Sequence, residues 1–326
     1  MIYDIIIIGG GPAGAAAGVY SARKKLKTLV ITDNFGGQSL VSDSIENWIG
    51  VKKMTGLEFA KMLEEHVRAH EDVEIKMPER AVSVKEAENG YEISTDKNNI
   101  YQSKALIVTS GGRRRRLGVP GEDKFGGRGV SYCSTCDAPV FRNKPVAVIG
   151  GGNAGLEVVI DLMPYASKIY LISNKELLTG DPSIQEEIKK SDKTSVIINA
   201  DIQEILGDKF VSGLKYFDKN DNQIKELKVG GVFVEIGSVP NSEFVKVLVK
   251  KNQAGEIIVD HKTGATSQPG IFAAGDVTDE IYKQNSISAG DGVTALLSAY
   301  NYLLNIKKQS PALTEATEGK PAKRNF

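Results

Sequence analysis

Near its start the chain reads Ile5-Ile6-Ile7-Ile8-Gly9-Gly10-Gly11-Pro12-Ala13-Gly14, and this stretch decides the fold. Four consecutive isoleucines indicate a strand that is buried on both faces of a parallel sheet. The glycines allow a tight turn at Gly9, a close approach to a pyrophosphate at Gly11 and close helix packing at Gly14. A helix is predicted from Ala15 to about Lys25, so that its N-terminus meets the phosphates.

The residues after this helix complete a nucleotide-binding unit. A second strand is predicted at 28–32, and Asp33 follows it at the position where a ribose-binding carboxylate belongs. A glycine pattern by itself is weak evidence. Here the strand, turn, helix and second strand occur in the required order, so the sequence predicts a dinucleotide site.

A second copy of this arrangement begins near residue 145. Residues 145–149 read as a strand, Gly150-Gly151-Gly152-Asn153-Ala154-Gly155 as the turn, 156–163 as a helix that stops before Pro164, and 168–172 as a strand. The specificity segment reads Ser173-Asn174-Lys175. It offers neither the carboxylate that suits NAD nor an arginine for the NADP 2′-phosphate.

Both cysteines lie between the two copies, in the segment Cys133-Ser134-Thr135-Cys136-Asp137. A redox-active dithiol beside a nucleotide cofactor is the favoured interpretation. Zinc needs about four ligands, and the three histidines, His66, His70 and His261, have the wrong spacing, so no metal is expected. A structural disulfide is disfavoured because closing so short a loop removes little entropy from the unfolded chain.

The composition excludes several classes of function. The 326 residues include 41 basic and 41 acidic side chains, so the net charge does not favour binding to nucleic acid or to a membrane. The first apolar run is too short for a signal peptide or a spanning helix. We therefore expect a cytoplasmic protein, in which a single dithiol would cycle rather than form a permanent disulfide framework. The length suggests two domains.

Placed together, these motifs resemble the low-molecular-weight, FAD-dependent thioredoxin reductase family over nearly the whole chain. The matching segments are Gly9 to Gly14, Gly36-Gly37-Gln38, Glu46-Asn47-Trp48-Ile49-Gly50, Gly127 to Asp137, Gly150 to Gly155, Gly275-Asp276 and Lys283-Gln284.

The resemblance implies an α/β fold with two Rossmann-like dinucleotide-binding domains, of the class II pyridine nucleotide-disulfide oxidoreductase type, in which the FAD domain is discontinuous. The implied domains are 1–115 and 243–308 for FAD, 116–242 for a central NADPH-binding-like domain that carries the dithiol, and 309–326 for a C-terminal tail.

The resemblance also implies the roles of individual residues. It assigns Cys136 to the flavin side, Cys133 to attack on a thioredoxin-like partner disulfide, and Asp137 to proton transfer, although turn capping is an alternative role for Asp137. The implied FAD-binding residues are Gly9, Gly11, Pro12, Ala13, Gly14, Asp33, Gly36, Gly37, Gln38, Asn47, Gly275, Asp276, Lys283 and Gln284. A homodimer is also implied.

The chain departs from the family where NADPH is selected. Ordinary members carry an arginine cluster there, whereas only Lys175 is basic in the segment 173–179. Each lost charge-assisted contact to a phosphate is worth about 1.5–3 kcal/mol, so NADPH binding is doubtful. The sequence favours a pyridine-nucleotide-independent branch that takes electrons from ferredoxin, a deazaflavin or another low-potential donor. The remaining candidate ligands for a second nucleotide are Gly150, Gly152, Asn153, Ala154, Gly155 and Lys175.

Other interpretations stay open from the sequence. The function could be that of a conventional NAD(P)H-dependent thioredoxin reductase, a flavin-dependent dithiol oxidase or a flavin-binding redox sensor. Arg113-Arg114-Arg115-Arg116 reads as a solvated loop, as a docking site for an acidic partner or as a contact to a cofactor phosphate. The tail that ends at Phe326 reads as a segment without its own core, or as an arm whose terminal aromatic ring contacts a flavin.

Overall fold

The computed structural model describes residues 2–42 and 45–309, so the tail from 310 to Phe326 lies outside the described residues. Contacts within the chain group the described residues into two compact units. The first contains 2–37, 62–111 and 241–309, and the second contains 38–42, 45–61 and 112–240. Within the described residues, 38–42 and 45–61 therefore group by contact with the dithiol segment. The sequence places these residues in the FAD domain, and those domain boundaries remain a prediction.

The first unit has seven strands and three helices. One helix, α2, has residues in both units. The elements are β1 (Ile2–Gly10), α1 (Pro12–Arg23), β2 (Thr28–Phe35), α2 (Gly56–Arg68), β3 (Val73–Lys76), β4 (Ala81–Ala87), β5 (Gly90–Thr95), β6 (Ile100–Val108), β17 (Ile271–Ala273) and α6 (Asn285–Gln309).

The seven strands form one sheet with β1 near its centre. The order is β3-β2-β1-β6-β5-β4, and β17 also pairs with β6. The pairs β1–β2, β1–β6, β2–β3 and β6–β17 are parallel, whereas β5 pairs antiparallel with both β4 and β6. Ile5, Ile6 and Ile7 are fully buried, as expected for a strand covered on both faces. This centre holds the first glycine turn at the carboxyl end of β1.

The second unit has ten strands and three short helices. The strands are β7 (Gly112–Arg114), β8 (Val130–Ser131), β9 (Pro145–Ile149), β10 (Lys168–Ile172), β11 (Thr194–Ile197), β12 (Ala200–Gly207), β13 (Val211–Asp218), β14 (Gln223–Leu227), β15 (Gly231–Val234) and β16 (Ser238–Pro240). The helices are α3 (Ser134–Asp137), α4 (Asn153–Leu162) and α5 (Pro182–Lys190).

Five of these strands form a parallel sheet with the order β11-β10-β9-β15-β8. The strands β12, β13 and β14 form a separate antiparallel sheet. The strands β7 and β16 pair antiparallel next to two of the four places where the chain passes between the units, at 111–112 and 240–241. Each unit therefore contains a sheet whose central strands are parallel, as in nucleotide-binding domains, which confirms the predicted α/β class with two Rossmann-like domains.

The predicted elements agree closely with the observed ones. The strands β9 and β10 have the predicted bounds, and β1 and β2 contain the predicted strands. Both helices after the glycine turns begin earlier than predicted, at Pro12 and Asn153. Proline is well suited to the first position of a helix because its missing N–H would have no partner there, so the turn leads directly into α1.

Within 2–42 and 45–309, no helix combines the length and the apolar character that crossing a membrane requires.

Candidate active site and nucleotide sites

The first glycine turn has the geometry of a phosphate cradle. Gly9 has φ +117°, and a Cβ atom at Gly9 would lie 2.2 Å from the Thr109 carbonyl oxygen. A Cβ atom at Gly14 would lie 1.8 Å from the Gly9 carbonyl oxygen, whereas the space beside Gly11 is open within 4 Å. Crowding at Gly9 and Gly14 with open space at Gly11 is what a bound pyrophosphate needs at a helix N-terminus. The residues present therefore fit a dinucleotide such as FAD.

Thr109 closes this turn from the end of β6, a role that local sequence patterns did not indicate. Its hydroxyl lies 2.9 Å from the Ile8 carbonyl oxygen and 3.1 Å from that of Gly9. The residue is buried. The preceding apolar run to Val108 was a detectable signal for a strand, but only the pairing of β1 with β6 brings Thr109 to the turn.

Asp33, the predicted ribose ligand, forms an ion pair with Arg80. Its carboxylate lies 2.5 Å from the guanidinium, and both side chains are exposed. Hydrogen bonding to Asp33 raises the pKa of Arg80 above its usual value. The predicted carboxylate thus lies near the first turn with a cationic neighbour that sequence spacing did not indicate.

Two further predicted segments meet the first turn. The Gly36 N–H donates to the Gly10 carbonyl at 3.0 Å, which places Gly36-Gly37 beside the turn. Gly275 has φ +75°, and its Cβ position lies 3.2 Å from the Ala13 Cβ. The first unit therefore brings three predicted cofactor-binding segments together from separate parts of the chain.

The other predicted residues near Gly275 make structural contacts. The Ser288 hydroxyl donates to Asp276 at 3.2 Å. Lys283 donates to the Thr278 carbonyl at 2.5 Å and pairs with Glu256 at 3.1 Å, and the Gln284 N–H donates to the Tyr282 carbonyl at 3.1 Å. These contacts hold the chain between the Gly275-Asp276 turn and α6, and a cofactor contact by Lys283 or Gln284 remains a prediction.

In the second unit, Cys133 and Cys136 are joined by a disulfide, with Cα atoms 5.4 Å apart. Cys133 caps α3, and its Sγ accepts a hydrogen bond from the Cys136 N–H at 3.3 Å. Cys136 is exposed, whereas Cys133 is half-buried. In this conformation the cysteine that the resemblance assigns to the partner is therefore the less exposed one, and the assignment of roles stays a prediction.

Two serines hold the dithiol segment. The buried Ser131 hydroxyl donates to the Asp137 carboxylate at 2.6 Å and accepts the Cys133 N–H at 3.2 Å. The Ser134 hydroxyl donates to Asp161 of α4 at 2.6 Å. Asp137 thus lies one short hydrogen bond from a residue that also orients Cys133. Neither serine was predicted, because serine in a turn carries no specific signal.

Asn47, predicted to contact the flavin, lies at the dithiol within the second unit. Its side-chain amide donates to the Cys136 Sγ at 3.9 Å. The nearby Trp48 packs edge-on against Phe59, with ring centroids 5.0 Å apart. Gln38 also belongs to this unit. The flavin contacts predicted for Asn47 and Gln38 remain predictions.

A buried carboxylate, Glu122, organises the chain before the dithiol. It is 2% exposed and accepts the N–H groups of Leu117 and Gly118 at 2.9 and 2.8 Å and the Tyr132 hydroxyl at 2.7 Å. Burial and the hydrogen bond to Glu122 raise the pKa of Tyr132 above its usual value. Arg116 pairs with Asp123 and lies 3.9 Å from Glu122. One residue of the arginine run therefore serves this local cluster.

The second glycine turn repeats the geometry of the first. Gly150 has φ +135°, with its Cβ position 2.2 Å from the Glu235 carbonyl oxygen, and a Cβ at Gly155 would lie 1.9 Å from the Gly150 carbonyl oxygen. Gly152 is nearly open, with the Thr179 hydroxyl at 3.9 Å. The Asn153 side chain accepts a hydrogen bond from the Asp181 N–H at 2.7 Å. The next residue of α4, Ala154, has a small side chain. This turn therefore fits a dinucleotide pyrophosphate.

The specificity segment after β10 is exposed at Asn174 and Lys175. The buried Ser173 hydroxyl accepts the Lys175 N–H at 3.2 Å, so this serine shapes the loop. The segment 173–179 contains no arginine. The geometry thus keeps a pyrophosphate cradle without the guanidinium groups that suit a 2′-phosphate.

Comparisons with known proteins agree with this geometry. A family model described as pyridine nucleotide-disulphide oxidoreductase matches residues 3–292. A NADH dehydrogenase of Bacillus subtilis is 43% identical over 302 residues, which cover 93% of this chain and 59% of that protein. A component of the alkyl hydroperoxide reductase of Pseudomonas aeruginosa is 43% identical over 306 residues, which cover 93% of this chain and 58% of that protein.

Solved structures give the same fold. A thioredoxin reductase from Streptococcus pyogenes superposes with a TM-score of 0.87 at 33% identity, covering 93% of this chain and 99% of that chain. A thioredoxin reductase from Giardia duodenalis superposes with a TM-score of 0.87 at 29% identity and the same coverage. The chain spans about three fifths of the length of the curated relatives that it matches. It belongs to the pyridine nucleotide-disulphide oxidoreductase family and is built like the thioredoxin reductases of that family.

Proposed function

We propose that this chain is an FAD-dependent dithiol-disulfide oxidoreductase that reduces the disulfide of a thioredoxin-like protein and takes its electrons from a donor other than NADPH. The observation that carries the proposal is the bonded pair Cys133 and Cys136, held by Ser131, Asp137 and Asn47, in a chain with two nucleotide cradles. A permanent structural disulfide has no need of a neighbouring carboxylate or of a cofactor site.

FAD would be held by Gly9, Gly11 and Gly14, with Asp33 at the ribose and the Gly275 turn beside them, and once reduced by the donor it would supply two electrons. The Cys133–Cys136 disulfide takes up two electrons and two protons and becomes two thiols. One thiolate then attacks the partner disulfide and forms a mixed disulfide, and the other thiolate resolves it. The partner leaves as a dithiol and the Cys133–Cys136 bond re-forms, so that electrons and protons balance.

The protein's own groups prepare this exchange. The Cys136 N–H and the Asn47 amide donate to the two sulfurs, which favours their thiolate forms. Asp137 is placed to give and take the proton, with its carboxylate held by the Ser131 hydroxyl. The resemblance makes Cys133 the attacking thiolate. Reaction of each Cys→Ser variant with a thioredoxin disulfide would trap the mixed disulfide only on the attacking residue.

The comparisons support one class of partner. The similar solved structures are named thioredoxin reductases, and relatives are named for alkyl hydroperoxide reduction. We propose a thioredoxin-like protein as the acceptor because the similar solved structures are named thioredoxin reductases and this chain carries the Cys133–Cys136 pair. A homodimer and a cytoplasmic location complete the proposal.

For the donor, the segment 173–179, which is exposed at 174–177 and contains no arginine, argues against NADPH. Two donor classes fit that feature. NADH is favoured by the second cradle at Gly150–Gly155 and by relatives named NADH dehydrogenase. A ferredoxin, a deazaflavin or another low-potential donor is favoured by the missing ribose carboxylate at Asn174.

The deciding experiment is an anaerobic titration of the purified, FAD-loaded protein with NADPH, NADH and dithionite, followed by flavin bleaching and by counting free thiols. We expect dithionite to reduce the flavin and to open the Cys133–Cys136 disulfide, and NADPH to fail at micromolar concentration. Bleaching by NADH identifies the nucleotide donor, and failure of both nucleotides directs the search to ferredoxins and deazaflavins.

Three results would overturn the proposal. Efficient bleaching by NADPH would restore a conventional reductase. Formation of hydrogen peroxide from small dithiols, without reduction of a protein disulfide, would indicate a dithiol oxidase. Binding of a partner that depends on Cys133 without any turnover would indicate a redox sensor.

A further inference from the structure

Within the described chain, four carboxylates are more than nine-tenths buried: Glu79, Glu122, Asp218 and Glu235. Three of them have hydrogen-bond donors. Glu79 accepts from Thr95 and Asn99, Glu122 accepts from two backbone N–H groups and Tyr132, and Asp218 accepts from Lys225 and the Asn220 N–H.

Glu235 is the exception. It is 9% exposed, and no group within 2–42 and 45–309 donates a hydrogen bond to its carboxylate. Among the described residues, the fully enclosed side-chain atoms without a partner belong to Ser103, Thr194 and Asp291, so the oxygens of Glu235 keep some accessible surface. A nearly buried carboxyl group that lacks protein donors still costs free energy, so its presence calls for an explanation. A ligand that completes its hydrogen bonds is such an explanation.

The place of Glu235 in the sheet indicates which ligand. It directly follows β15, its N–H donates to Ile149 of β9 at 2.8 Å, and its carbonyl packs on Gly150. In a doubly wound sheet the dinucleotide lies across the carboxyl ends of the strands at the point where strand order reverses, which here is between β9 and β15. Glu235 therefore lies at the floor of that crevice.

The orientation of the ligand follows from the two ends of the crevice. The pyrophosphate belongs at Gly150–Gly155, and the adenosine ribose belongs on the β10 side, at Asn174. The strand β15 lies on the opposite side of β9. The half of the dinucleotide that meets Glu235 is therefore the nicotinamide half.

The charged groups around Glu235 come from two elements. Arg114 lies on β7, and Glu157 and Asp161 lie on α4, while the paired strands β8 and β9 bring no titratable side chain. Burial is the largest cause and raises the pKa of Glu235. The positive charge of Arg114 lowers this pKa, whereas repulsion by Asp161 and Glu157 raises it, and the result is a pKa of about 7. Near neutral pH a large fraction of Glu235 is thus a neutral carboxylic acid.

We propose that Glu235, as a carboxylic acid, binds the carboxamide of a nicotinamide dinucleotide in the crevice of the second unit, so that nucleotide binding takes up a proton. A carboxylic acid has one O–H donor and one carbonyl acceptor, which match the C=O and NH₂ of a carboxamide. This inference rests on NADH as the donor in the proposed function.

The test is calorimetric binding of NAD⁺ to the oxidised, FAD-loaded protein, in pairs of buffers that differ in ionisation enthalpy. Above the pKa of Glu235, the fraction of this residue in the acid form falls about tenfold per pH unit. The dissociation constant of NAD⁺ is therefore expected to rise about 30-fold between pH 6 and pH 8.5. At pH 8.5 the buffer pairs should report uptake of about one proton per NAD⁺.

Three controls isolate the residue and the ligand group. Glu235→Gln keeps a donor and an acceptor at the same place, so its affinity should change less than about twofold over this pH range. Glu187→Gln, at an exposed position of α5, should behave like the unsubstituted protein. ADP-ribose lacks the nicotinamide and should bind without proton uptake.

The proposal is overturned if NAD⁺ binding is independent of pH, if Glu235→Gln retains the proton uptake, if ADP-ribose shows it too, or if NAD⁺ does not bind. The last result would leave the dithiol function intact, provided that dithionite still opens the Cys133–Cys136 disulfide. A protein that binds NAD⁺ with proton uptake but transfers no electrons to the dithiol would instead contradict the proposed function alone.

Discussion

Glu122→Gln should destabilise the segment that leads to the dithiol, because three donors converge on this buried carboxylate. The Leu117 and Gly118 N–H groups and the Tyr132 hydroxyl lie 2.7 to 2.9 Å from its oxygens. An amide offers one oxygen where the carboxylate offered two. At least one backbone N–H must then face an NH₂ group.

The magnitude follows from these contacts. An unsatisfied buried N–H costs about 1–3 kcal/mol. The two remaining hydrogen bonds lose their charge assistance, which is worth about 1 kcal/mol for both together. We expect a loss of about 3 kcal/mol in the free energy of local opening, which corresponds to amide exchange about 100-fold faster at Leu117 and Gly118.

The assay is hydrogen exchange followed by mass spectrometry on peptides that cover 113–125, with urea unfolding of the FAD-loaded protein alongside. Tyr132→Phe removes one donor and leaves both backbone bonds, so it should cost about 1–2 kcal/mol. Glu187→Gln, on the exposed side of α5, makes the same acid-to-amide change outside the cluster and should be neutral. Exchange within about twofold of the unsubstituted protein for Glu122→Gln would refute the reasoning.

Three further predictions concern the cofactor site, the proton path and the pH dependence of stability. Gly14→Ala places a methyl group 1.8 Å from the Gly9 carbonyl oxygen, so the purified variant should retain little FAD by absorbance ratio, whereas Gly290→Ala, with open space within 4 Å, should retain it fully. Ser131→Ala removes the 2.6 Å bond to Asp137 and should slow reduction of a thioredoxin disulfide about 10- to 100-fold. Ser212→Ala, at an exposed position of β13, serves as its control, and equal rates for the two variants would contradict the role of Ser131. Because the folded-state pKa of Glu235 is raised to about 7 from 4.5, the native state binds more protons than the unfolded state between these values, and stability falls by about 3 kcal/mol as pH rises through them. Glu235→Gln should lose this slope in urea titrations at pH 4.5 to 8, and a slope equal to that of the unsubstituted protein would count against the buried acid.

The fold was largely predictable from local patterns. The run Ile5 to Ile8 and the two glycine turns predicted two strand-turn-helix units, and the structure contains both at the expected places. These patterns are informative because each reports a backbone requirement within one turn of the chain, such as the positive φ of Gly9 and Gly150.

The contacts around the dithiol were not predictable in the same way. Asn47 lies 89 residues from Cys136 in sequence, and Asp161 lies 27 residues from Ser134. Asparagine, aspartate and serine at such positions are ordinary surface residues unless the fold brings them together. No pattern within a window of ten residues contains that information.

By itself, the sequence determined two dinucleotide cradles, a single dithiol between them and the loss of the arginines that bind a 2′-phosphate. These properties depend on residue type and short spacing, which chain folding does not change. Only the tertiary structure decided that Asp33 faces Arg80, that Glu122 receives three donors and that Glu235 lies buried without one. The order of strands across each sheet sets those contacts, and that order depends on how distant segments pack to bury apolar surface.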